Sequence, residues 1–208
     1  MIITPDRFWS GYSWGEYLGR IKRNRELFQK SFDSVEMTDA EVEWLRHYEH
    51  TTYILGIGED WCPDVFGNLP VMARMASYNP EKLTLRIFPR DELENGESAP
   101  YNDVPRSPDT AHFKNHDLMA HYLYGPKQSM SIPALGLFDE QWNEFARFLG
   151  GRPKLYWYWI DKMGKHEAIQ NRMGEFAVHN FGREMFWEIR DLLEMHPKGR
   201  RQLNSDLS

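Results

Sequence analysis

The sequence predicts an α/β fold, a central β-sheet flanked by helices. Stretches of helical period open the chain, short β-branched or alternating runs then take turns with further helical stretches, and a long polar segment interrupts the pattern once. A length of 208 residues suits one core with decorations, since domains commonly run to about 100–200 residues before splitting.

The elements follow in order. Residues 16–32 place Tyr17, Leu18, Ile21, Leu27 and Phe28 at spacings near three, four and seven, which predicts one amphipathic helix. Its other face, with Arg20, Lys22, Arg23, Arg25 and Lys30, reads as solvated surface. Thr38, three residues before Glu41, predicts a capping box at the head of a helix over 40–48. Residues 51–57, TTYILGI, are β-branched, aromatic and apolar, as a buried central strand should be. After Trp61-Cys62-Pro63-Asp64 a helix runs over 65–78, with a kink expected at Pro70, which lacks a backbone donor.

Residues 83–88 alternate as a second strand, and residues 91–113, with three prolines and many polar groups, read as a loop or insertion. A short helix over 116–124, strands over 134–138 and 144–149, and helices from Pro153 and over 167–195 complete the pattern, with a polar tail expected to fray from His196.

Composition narrows the partners. Hydrophobic residues at 41% supply a core, and a net charge of −6 offers no broad basic field, so neither nucleic acid nor a membrane surface is an expected partner. No apolar run reaches the roughly 18–20 residues that span a bilayer, and a single cysteine agrees with a reducing compartment, so the expected location is the cytoplasm. His47 with His50, and His112, His116 and His121, complete no recognisable metal set, and no metal is expected. The stretch 155–160, LYWYWI, is apolar all round and predicts burial against the sheet or a second subunit.

The chemistry centres on Cys62. A thiol ahead of a helix meets unpaired N–H groups and the positive end of the macrodipole, which favour thiolate, while the Asp64 carboxylate opposes it. The two influences stand unranked in the sequence.

The element order, Trp61-Cys62-Pro63-Asp64, Leu69-Pro70-Val71, Phe88-Pro89-Arg90-Asp91, Asp117-Leu118-Met119, Ser131-Ile132-Pro133 and Gly151-Arg152-Pro153 together resemble the thioredoxin-like superfamily, in particular bacterial thioredoxin-family proteins with a Trp-Cys-x-Asp motif. The resemblance implies a three-layer fold with a mixed sheet over residues 35–170, an insertion at about 92–114, and helical extensions at 1–34 and 171–208. It implies Cys62 as the attacking thiol, Asp64 as a proton shuttle, and Trp61, Pro63, Ile132 and Pro133 as substrate contacts, with Ile132–Pro133 in cis.

Two positions depart from the family. Val65 replaces the second cysteine, so a mixed disulfide has no internal resolver and needs an outside thiol such as glutathione as co-substrate. Gly56 stands where the family keeps a buried acid. Two functions are therefore expected: a monothiol thiol-disulfide oxidoreductase acting on disulfide-containing or glutathionylated proteins or small thiols, or a redox-inactive module binding a peptide, a protein partner or a second copy of itself.

Overall fold

Three helix starts in the computed structural model, which describes residues 1–99, 113–164 and 181–198, lie where side chains satisfy free backbone N–H groups. Thr4 caps α1 (Pro5–Trp9), and full capping boxes, Ser13 with Glu16 and Thr38 with Glu41, open α2 (Trp14–Arg20) and α4 (Asp39–Arg46).

The single helix expected over 16–32 is two. α2 ends at an extended Ile21, and α3 (Arg25–Asp33) starts after Asn24, which lies in the left-handed region at φ 53°. The cause is Asp60, only 6% exposed, whose carboxylate accepts the N–H groups of Lys22 and Arg23 at 3.1 and 3.0 Å. Those donors serve a buried carboxylate instead of continuing a helical ladder. The turn brings Tyr17 and Phe28 together at 5.7 Å, and Phe28 against Phe66 at 6.0 Å.

β1 (Thr52–Gly58) pairs in parallel with β2 (Leu83–Pro89) from Thr52↔Leu83 to Gly58↔Pro89. On its other side it runs antiparallel to β3 (Ala134–Phe138), which pairs antiparallel with β4 (Glu144–Phe148), giving the order β2-β1-β3-β4. α5 (Pro63–Ser77) connects β1 to β2, as a parallel pair requires. It continues as one helix through Pro70.

α5 lies close on β1 because β1 has glycines there. A Cβ at Gly58 would stand 2.7 Å from Val65, and one at Gly56 would meet Leu69, Leu135 and Leu85 at 3.2–3.4 Å. The opposite face is covered by α1, through Phe8 against Tyr53 and Trp142, and by Tyr122, whose hydroxyl occupies the space a side chain at Gly136 would need. α6 (His116–Met119) precedes Tyr122 and is shorter than the helix expected over 116–124.

α7 (Lys154–Met163) and α8 (Phe181–Glu194) follow the sheet. α8 buries Met185, Phe186, Ile189, Leu192 and Leu193, and its head is tied to α4 by a two-pronged Arg183–Glu41 ion pair at 2.6 and 2.8 Å. The tail does not fray at His196, which is wholly buried. α7 is not covered all round by its own chain: Tyr156 is buried, whereas Leu155 and Tyr158 are exposed.

The ends of the segment 92–114, expected as an insertion, meet: Ala99 donates to the Asp91 carbonyl and Lys114 to that of Glu92. Residues 100–112, 165–180 and 199–208, which include His112 and parts of the expected insertion, last helix and tail, lie outside the described residues. No described helix is long and apolar enough to cross a membrane.

Candidate active site at Cys62 and the Ile132–Pro133 bond

β1 delivers the chain to the loop Glu59–Cys62, and α5 begins at once, with Cys62 as its N-cap and Pro63, exposed, at its first position. The Cys62 carbonyl accepts from Val65 and Phe66 at 3.0 and 3.2 Å. Its thiol, 7% exposed, faces the carbonyl oxygen of Ile132 at 3.7 Å, and the Ile132–Pro133 peptide bond is cis. Cys62 and Ile132 thus come together across 70 residues of sequence, and both are buried, as is Pro133.

The two opposed influences on the thiol now have a ranking. Burial, and then the Asp64 carboxylate, push the Cys62 thiol up to about 11, against the N–H groups of Val65 and Asp64 and the charge of Arg90. The helix start is present, but it points at a sulfur from which water has been removed, and loss of hydration outweighs the dipole.

Asp64 is a partner rather than a free acid: its carboxylate accepts from Arg152 Nε at 2.9 Å, and that guanidinium lies over Tyr156 and Trp157 at 5.1 and 5.4 Å. Trp61 is half-buried, with Arg90 5.1 Å above its ring and its indole N–H donating to Asp91 at 3.3 Å. Arg90 grips the same carboxylate with two bonds and donates to the Met130 carbonyl, two residues before Ile132.

The roles of three contributors escaped the sequence reading. Gly151, at φ +77°, packs so tightly on Ile132 that a Cβ there would lie 2.5 Å from its carbonyl oxygen, and wholly buried Asn68 of α5 donates to the Gly151 carbonyl at 3.0 Å. The third is Glu59, 1% exposed, which accepts the Asp91 N–H at 2.7 Å. Burial, and then the charge of Asp91, push its carboxyl up to about 8, so a buried neutral acid does stand near the thiol loop, three residues before Cys62 rather than at Gly56. An acid directly after a buried strand was its only signal. The Tyr17 hydroxyl, wholly buried and without a hydrogen-bond partner among the described residues, is held well above its usual range by burial and then by Glu59 and Asp60.

Among the described residues no group of three or more His, Cys, Asp and Glu comes together as a metal site. His47 is turned to the Glu43 carbonyl at 2.8 Å, and His50 stacks on His196.

A family model described as Thioredoxin matches residues 11–99, from the N-terminal helices through β2. No curated protein matches the chain. Among the solved structures that resemble it are two that cover most of the chain. One is a Pseudomonas aeruginosa protein of unknown function, with a TM-score of 0.59, 19% identity, and coverage of 93% of this chain and 96% of that one. The other is an HIV epitope scaffold, with a TM-score of 0.56, 20% identity, and coverage of 90% and 93%. At these identities the two structures speak for the fold alone, and with the sheet order and the family match over residues 11–99 they show a thioredoxin-like α/β fold.

Proposed function

We propose that the chain is a redox-silent thioredoxin-like module whose surface beside Cys62, where Trp61 and Pro63 are accessible, binds an extended segment of a protein partner. The observation that carries this reading is the state of the thiol: 7% exposed, held against the Ile132 carbonyl and pushed up to about 11, it supplies almost no thiolate near neutral pH. Val65, wholly buried against Gly58, fills the place of a resolving cysteine, and Asp64 is engaged with Arg152. Tyr124, and Leu155 and Tyr158 of α7, offer exposed apolar and aromatic area for a partner.

A second reading is monothiol exchange, favoured by the retained placement of Cys62 at a helix start opposite a cis proline bond. Its cycle balances: the Cys62 thiolate attacks a glutathionylated sulfur, takes the glutathione as a mixed disulfide and releases the substrate thiolate. A glutathione thiolate then attacks the adduct, releasing oxidised glutathione and the Cys62 thiolate.

Mass spectrometry after incubation with oxidised glutathione at neutral pH, beside a Cys62→Ser control, separates the two. The binding-module reading expects no adduct on the native protein and an adduct only after denaturation. Rapid addition of one glutathione to native Cys62, reversed by reduced glutathione, would overturn it in favour of the second reading.

A further inference from the structure

The loop after α4 and the end of α8 meet through two imidazoles. His50 and His196 stack with ring centroids 4.7 Å apart and planes 1° from parallel, and Phe145 of β4 closes edge-on upon His196 at 4.9 Å. His196 is wholly buried, and Tyr48 lies edge-on to His50 while its hydroxyl donates to the Leu193 carbonyl at 3.2 Å. His196 Nδ1 accepts the N–H of Lys198 at 3.3 Å, a bond that only an unprotonated nitrogen can make. The Lys198 bond at this end of α8 therefore requires a neutral His196, whereas a backbone hydrogen bond with Thr51 favours its charged form.

We propose that the His50–His196 stack is a proton-operated latch: neutral, it holds the end of α8 on the sheet, and protonated in mildly acidic solution it releases that end. Face-to-face imidazolium rings repel one another, and a proton on Nδ1 removes the acceptor of the Lys198 N–H. The surrounding charges are mixed. Asp139 and Glu140, from the β3–β4 turn, face His196 and favour its charge, but Glu140 Oε2 stands 3.6 Å from Nε2 and the carboxylate is engaged by the Lys198 ammonium. Around His50, Glu49 favours the charge while Lys198 and Lys82 oppose it. Burial is the largest influence on both rings and lowers the proton affinity of each, with His50 lowering that of His196 further.

The sign follows. Bases depressed in the closed form contribute stability that is complete above the free-histidine value of about 6.5 and is lost as pH falls below it. The head of α8, held by Arg183 and Glu41, has no part in this response, so release starts at the C-terminal end.

The experiment is backbone hydrogen exchange of the intact chain at pH 7.5 and 5.5, corrected for the intrinsic exchange rate. The opening constant of the amides of residues 192–196 is expected to rise about tenfold for each ring that takes up a proton on release, while the amides of β1 keep their protection. His50→Phe keeps a flat ring on His196 and removes one titrating group, so its pH response should shrink with protection at pH 7.5 retained. Equal protection at the two pH values, an unchanged response in His50→Phe, or a parallel loss throughout β1 would each overturn the latch.

Discussion

At the C-terminal end of β1, Glu59 and Cys62 are acids held protonated, whereas at its N-terminal end His50 and His196 are bases held unprotonated. Removal from water is the largest cause in all four, and in each it selects the uncharged form. The difference lies in what that costs as pH changes. Glu59, raised from 4.5 to about 8, contributes stability that is complete below 4.5 and lost as pH rises through about 8. The histidine pair contributes in the opposite sense, and the fold is squeezed from both sides towards weakly acidic to neutral pH.

The strongest way to break the contrast is to disturb the Cys62 end without touching a titrating group. Gly151→Ala forces a side chain into the left-handed region and against the Ile132 carbonyl, and is expected to destabilise by about 2–4 kcal/mol in urea unfolding. The histidine end should keep its pH response. Glu59→Gln sharpens the contrast next. It keeps an oxygen for the Asp91 N–H while abolishing ionisation, so it should stabilise by about 1–3 kcal/mol at pH 8 and by little near pH 5, giving a flatter profile of melting temperature against pH. The smallest effect is expected from Asp64→Asn, which removes the second-largest cause that raises the thiol but leaves burial in place. Alkylation of Cys62 by iodoacetamide at pH 8 should accelerate only about two- to fivefold, as timed by mass spectrometry.

The elements of the sheet were legible because their causes are local. The Thr38–Glu41 capping box and the apolar run that became β1 both follow from near neighbours in sequence. The order of motifs likewise announced Cys62 opposite Ile132 and Pro133, which the fold brings to 3.7 Å. What was not legible depends on partners remote in sequence. Asp60 breaks a helix 36 residues or more upstream, Arg152 occupies Asp64 across 88 residues, and His196 is buried only because His50 and Phe145 receive it. The thiol's state belongs to this second kind: a helix start can be read from sequence, but the depth of burial that overrides it cannot.

The account stands on that state, and the most direct measurement is the rate of iodoacetamide alkylation of native Cys62 from pH 6 to 11, with the unfolded protein as reference. A buried, protonated thiol predicts an apparent pKa well above the free-thiol value of about 8.5, towards about 11, with slow alkylation at neutral pH. An apparent pKa below 8.5 with fast alkylation at pH 7 would contradict it and return Cys62 to the role of a working nucleophile.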